Sequence, residues 1–167
     1  MKAGIQIIPA TPDHTDAIWQ IFHEVIAAGD AYVFEADTSR DAFLAYWFAR
    51  GTHPYVAIED GKVLGSYIVK ANQPGRGSHV ANASYMTASF ARGKGIGGLM
   101  CRHSLLEAAA LGFRAIQFNI VVSTNSAAVS LWQKHGFRII GTTPGAFRHE
   151  TIGYVDAHIM FRELASI

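Results

Sequence analysis

Between residues 79 and 98 an extended, apolar run leads into Arg92-Gly93-Lys94-Gly95-Ile96-Gly97-Gly98, and helical spacing then holds until Gly112. A strand, a glycine-rich turn and a helix in that order tightly restrict the architecture. The turn sets the helix N-terminus, with its unpaired N–H groups and positive dipole end, beside the carboxyl end of a strand. Glycines there let the backbone approach an anion closely and take positive φ. Arg92 and Lys94 add cationic donors at the same place. The segment reads as an anion site suited to phosphate.

Gly93, Gly95 and Gly98 satisfy the letters of a G-x-G-x-x-G dinucleotide turn. That turn also needs an acidic residue about 20 positions on, to hold ribose hydroxyls. No Asp or Glu lies between Glu107 and Glu150. The P-loop pattern fails too, because Gly95 follows the lysine where Ser or Thr is required. The phosphate ligand is held by another scheme.

Around this segment the spacing predicts the order β-α-α-β-β-β-α-β-α-β-β. A strand over 5–8 precedes a helix capped by Thr11, with Pro12 at its first position and Gly29 closing it. Ala17, Ile18, Ile21, Phe22, Val25 and Ile26 form its apolar stripe. Thr38 caps a second helix that turns Phe43, Leu44, Trp47 and Phe48 inward. Strands over 55–58 and 63–69 flank Asp60-Gly61, a hairpin turn signal. After the glycine turn come a helix (96–111), a strand (115–122), a helix (126–135) and a strand (137–143). A loop and a strand over 154–161 end the pattern. This order predicts an α/β fold with a mixed sheet. The 167 residues, half of them apolar, suffice for one domain with a sizeable core.

Arg92-x-x-Gly95-x-Gly97, after a strand and opening a helix, resembles the coenzyme A signature of the GNAT family of N-acetyltransferases. The run from Asn125 through Trp132 to Gly136-Phe137 resembles that family's second motif, an Asn-led helix ending in Gly-Phe before a strand. Phe118-Asn119, Thr124-Asn125 and the stretch from Gly145 to Ala157 are similar to a subgroup that acetylates amino acids and proline analogues. The resemblance covers essentially the whole chain. It implies a mostly antiparallel central sheet with helices on both faces and one splayed pair of parallel strands. It implies acetyl transfer from acetyl-coenzyme A to the amine of a small molecule, an amino acid or analogue, by direct attack in a ternary complex. An acetyl-coenzyme A sensor without turnover and a peptide N-terminal acetyltransferase are the alternatives.

By the same resemblance, the thioester arm would lie between the strands over 79–89 and 115–122. Backbone groups of Met86, Thr87 and Ala88 would pair with its amides, and Arg92 through Gly98 would carry the pyrophosphate. Asn125 would cap its helix and hydrogen-bond the arm. Many members carry a tyrosine acid where Trp132 stands, and indole N–H does not titrate usefully. Many also carry a glutamate base on the strand before the turn, and residues 79–89 contain no carboxylate. The candidates left as base are Glu35, His79 and Tyr85. Asn82 and Asn119 interrupt apolar strands, so each amide needs a protein partner or a ligand. Both are candidates to bind the substrate, and Arg148 is a candidate for its carboxylate.

The formal net charge of +1 gives no broad footprint for nucleic acid. No Cys–His cluster has ligand spacing, so no metal is expected. The lone Cys101 excludes an intrachain disulfide and fits a reducing compartment. No apolar run approaches the ~20 residues of a membrane span, and the first 16 residues lack a signal-peptide apolar region. The chain is expected to be cytoplasmic. Homodimers are common in the family, so a homodimer rests on the resemblance alone.

Overall fold

The computed structural model describes residues 4–164. The elements, in order, are β1 (Gln6–Pro9), α1 (Thr15–Ala28), α2 (Arg40–Trp47), β2 (His53–Glu59), β3 (Lys62–Ala71) and β4 (Val80–Thr87). They continue with α3 (Ile96–Ala110), β5 (Ala115–Val122), α4 (Ser126–Lys134), β6 (Arg138–His149) and β7 (Gly153–Glu163). This is the expected order, and its details follow from local chemistry. Pro12 opens a 3-10 turn over Pro12–His14 rather than α1 itself, and Gly29 closes α1 at φ +61°. Thr38 turns its hydroxyl back to the Glu35 carbonyl, so Ser39 caps α2 instead, accepting the Ala42 N–H. Asp60 and Gly61 both take positive φ, as a tight β2–β3 turn requires.

The seven strands form one sheet in the order β1-β2-β3-β4-β5-β7-β6. Every pairing is antiparallel except β4 with β5. The expected loop after residue 143 is instead a continuation of β6 to His149. A bulge between Thr143 and Phe147 takes up Pro144 and Gly145 without ending the pairing with β7.

Neighbouring residues of a strand point to opposite faces. Ser66 of β3 accepts the Trp47 Nε1–H of α2 at 3.1 Å, whereas adjacent Tyr67 shares a hydrogen bond with His103 of α3 at 2.6 Å. Helices α2 and α3 therefore cover opposite faces. Phe22 of α1 stacks on Phe43 of α2 at 4.1 Å and packs on the first face. Both rings are fully buried, and burying each contributes roughly 2–3 kcal/mol. Trp132 of α4 packs on Tyr85 and Phe118 on the α3 side. Among the described residues no helix is long and apolar enough to cross a membrane.

The α3 face holds a row of phenols. Tyr55 donates to Glu107 at 2.9 Å, and Tyr85 shares a hydrogen bond with Ser104 at 2.7 Å. Burial, reinforced by the Glu107 carboxylate, pushes Tyr55 up to about 12. Burial first, then neighbouring groups, raises Tyr67 and Tyr85 further. In the folded chain these groups keep protons that the unfolded chain releases near the ordinary value of 10.0. Their contribution to stability is fully present below that pH and is lost as pH rises above it. The melting temperature should therefore hold up to about pH 9.5 and fall steeply by about pH 11.5; a flat profile across that interval would refute the assignment.

Candidate active site

The site begins where β4 and β5 part. Their ladder covers only Val80↔Ala115 and Ala81↔Ile116. Beyond that point β3 continues to hold β4 through Gly65↔Thr87. Strand β5 instead slips register against β7 between Phe118 and Val121 and bends away. The last link across is a side chain, Asn82 Nδ2 donating to the Gln117 carbonyl at 3.0 Å. One substrate candidate thus marks the apex of the gap.

Alternate residues of an antiparallel strand send their backbone groups to opposite neighbours. The Ala88 N–H goes to Leu64 on β3, and the Val80 carbonyl accepts the Asn72 N–H from the same side. Even-numbered positions of β4 therefore face β3, and the backbone groups of Ala83, Tyr85 and Thr87 face the gap. This corrects the expectation for Met86 and Ala88. Met86 turns its carbonyl toward β3, where a Cβ on Gly65 would lie 2.7 Å away. The Ala88 carbonyl is also taken up, by Ala91 N–H at 2.9 Å. Of the three residues, Thr87 alone offers its backbone to a ligand in the gap.

The gap widens into a trough of about 700 Å³ bordered by Met86, Thr87, Arg92, Thr124, Ala128 and Leu131. At its end the glycine segment divides its work. Gly93 and Gly95 take φ of +78° and +77°, which L side chains rarely adopt. Leu99 is the first residue of α3 whose N–H reaches a carbonyl, that of Gly95, so the groups before it face the turn. Ile96 buries its side chain and contributes only its N–H. Gly97 and Gly98 serve a second purpose, because Cβ atoms there would lie 3.1 Å from Leu131 and 3.4 Å from His135. They allow α4 to pack close to α3. Arg92 and Lys94 are exposed on the turn. Asn125 caps α4 by accepting Ala128 N–H at 3.1 Å and borders both trough and gap.

On the α1–α2 side the gap opens into a chamber of about 270 Å³, walled by Tyr32, Phe34, Tyr46, Ser84 and Asn119, with Trp132 opposite. Asn119 donates to Asn72 at 2.7 Å and accepts from Gln117 at 3.1 Å. Tyr85 reaches away from the chamber to Ser104, and its burial keeps the phenol protonated. It is a poor base. His79 is exposed at the closed end of β4, its carbonyl bonded to Arg114 N–H, and it borders neither chamber nor trough. Glu35 and Arg148, proposed for separate roles, meet each other at 2.8 and 3.0 Å beside the chamber.

One residue at the centre had no assigned role in the sequence. Tyr32 borders chamber, trough and a third cavity beside the Glu35–Arg148 pair, and its hydroxyl donates to the Tyr85 carbonyl at 2.7 Å inside the gap. Burial, then the nearby Tyr46, raises its pKa well above the ordinary value. The only signal in the sequence is an aromatic run just past the Gly29 helix stop.

Comparison with known proteins gives a consistent result. The model of the Acetyltransferase (GNAT) family matches residues 16–137. The N-acetyltransferase aca1 of Schizosaccharomyces pombe is 38% identical over 100 residues, which are 58% of this chain and 47% of that protein. The chain thus spans about half the length of that relative. The L-amino acid N-acetyltransferase AaaT of Escherichia coli is 31% identical over 114 residues, 67% of this chain and 68% of that one. The structure of a GCN5-related N-acetyltransferase from Kribbella flavida superposes with a TM-score of 0.91 at 43% identity. It covers 95% of this chain and 97% of the other.

Proposed function

The chain belongs to the acetyltransferase (GNAT) family, and from that premise we propose that it transfers an acetyl group from acetyl-coenzyme A to the amine of a small molecule. The acceptor is an amino acid or amino-acid analogue, attacking directly in a ternary complex. The observation that carries this reading is the opening between β4 and β5. One mouth gives on a trough ending at the glycine turn, and the other on a small chamber. Donor and acceptor entering from opposite sides would meet at one point, so proximity supplies much of the acceleration.

Thr87 and Tyr85 would pair with the pantetheine arm along the free edge, as an added strand does. The N–H groups from Ile96 to Gly98, with Arg92 and Lys94, would hold the pyrophosphate. Bound there, the donor supplies an activated acetyl group on a thiolate that leaves without strong acid assistance. Trp132 serves as wall rather than acid. The chamber is lined by apolar side chains, phenols and amides and no carboxylate, so the amine loses its proton to a group at the chamber's margin, Glu35, or to water. The name of the Escherichia coli relative supports an amino acid as acceptor. The small volume of the chamber, about 270 Å³, favours free amino acids over peptides. The reading is of one catalytic domain working in the cytoplasm; a homodimer rests on family analogy alone.

Free-thiol release should be followed with acetyl-coenzyme A and a panel of amino acids, proline analogues, methionine sulfone-like compounds and peptides. Turnover on free amino acids, with intersecting initial-rate lines, is expected. Cofactor binding without turnover on any amine would make the chain a sensor instead. Activity confined to peptides would move it to N-terminal acetylation.

Tyr32 allows a finer check. Its hydroxyl occupies a carbonyl that an arm amide would use, so Tyr32→Phe should tighten coenzyme A binding about threefold to fivefold, the scale of one neutral hydrogen bond. Weaker binding in a calorimetric titration would rule out this competition.

A further inference from the structure

The α1–α2 loop and the β6–β7 hairpin meet over the acceptor chamber at two fastenings of different kinds. One is structural: the Glu150 N–H donates to the Gly29 carbonyl at 3.0 Å. Gly29 has φ +61°, and a Cβ on it would lie 2.7 Å from that of Glu150. The other is the ion pair of Glu35 and Arg148, 113 residues apart in sequence. Arg148 Nη2 reaches both carboxylate oxygens, at 2.8 and 3.0 Å, and the two side chains are 70% and 64% exposed. An exposed pair contributes little to stability. The backbone fastening keeps the loop docked whether or not the pair is made.

The pair borders a cavity of about 370 Å³ that shares Tyr32, Val33 and Phe34 with the acceptor chamber. An acceptor whose amine lies in the chamber can therefore extend toward the pair. Arg148 is the one guanidinium bordering this cavity among the described residues. It presents a fork that another carboxylate fits as well as Glu35 does. Glu35, with both oxygens on that guanidinium, is held from acting as a base.

We propose that the carboxylate of an amino-acid acceptor takes Arg148 from Glu35, and that the released Glu35 removes the proton of the acceptor's ammonium group. Carboxylate recognition and release of the base are then one event. The inference rests on the acetyl-transfer reading given above. The ammonium loses one proton to Glu35, directly or through one water, and the Glu35 carboxyl later returns it to solvent. The freed lone pair forms the new C–N bond at the thioester carbonyl, the C–S bond breaks, and sulfur leaves as thiolate. The extra proton on nitrogen passes to solvent, leaving the neutral amide.

An amino acid accepted by the enzyme should be compared with its decarboxylated amine. Wild type should favour the amino acid by about a hundredfold in kcat/KM, with at least tenfold of that in kcat. Arg148→Ala should raise KM for the amino acid and raise kcat on the decarboxylated amine about threefold to tenfold, since Glu35 is then free. Glu35→Gln should lower kcat about a hundredfold on the amino acid but only about tenfold on the decarboxylated amine, closing the gap between them, and Arg148→Ala should give no gain in its background. Melting temperature and coenzyme A affinity, read for each variant, should stay at wild-type values and exclude misfolding. Equal kcat on both acceptors in wild type, or a loss rather than a gain on the amine in Arg148→Ala, overturns the exchange while leaving acetyl transfer intact. Absence of turnover on every amine overturns the underlying reading instead.

Discussion

Arg92→Glu is expected to weaken acetyl-coenzyme A binding roughly 150-fold, about 3 kcal/mol, with the melting temperature unchanged. Arg92 is exposed on the turn after β4 and borders the trough. Among the described residues its side chain makes no hydrogen bond or ion pair with the protein, so folding does not depend on it. A charge-assisted hydrogen bond to phosphate is worth about 1.5–3 kcal/mol, and a carboxylate in its place adds repulsion. The effect should shrink as salt rises, because the site is open to solvent. A titration in which the variant binds as wild type does would remove the pyrophosphate from this turn.

Ala128→Trp should have the larger effect on turnover, lowering kcat/KM about a thousandfold, about 4 kcal/mol in transition-state stabilisation. Ala128 lies in the first turn of α4 and borders both trough and chamber. An indole there would stand where the thioester arm must pass from one to the other. Residue 128 is half-buried on a surface helix, so the fold tolerates the change. Pyrophosphate contacts at the turn would survive, so coenzyme A affinity should fall far less than turnover. Wild-type turnover in a folded variant would mean that the arm takes another route.

The fold was largely legible because its signals are local. The Asp60-Gly61 turn, the Gly29 stop and the apolar stripe from Ile18 to Ile26 act over a few residues each, and the structure carries all three. Thr38 misled by one position because Ser39 competes for the same cap. The length of β6 was hidden by Pro144 and Gly145, which read as a loop until a bulge is allowed.

The site was legible where chemistry follows chain order and obscure where it follows register. The glycine turn and Asn125 declare themselves by their neighbours in sequence. Which β4 backbone groups face the gap depends on pairing parity with β3, which no single-strand pattern contains. For that reason the backbone groups of Met86 and Ala88 turn from the gap although Met86 borders the trough. Tyr32 and the Glu35–Arg148 pair come together only through tertiary docking of the α1–α2 loop on β4 and on the β6–β7 hairpin.

The central claim is that the donor lies along the free edge of β4 with its phosphates on the turn. Backbone hydrogen exchange with and without acetyl-coenzyme A tests it most directly. Protection should appear at Thr87, at residues 93–98 and in the α4 cap at Asn125, while β1 and β2 stay as they were. Protection confined to other segments, or none at saturating acetyl-coenzyme A, would contradict it.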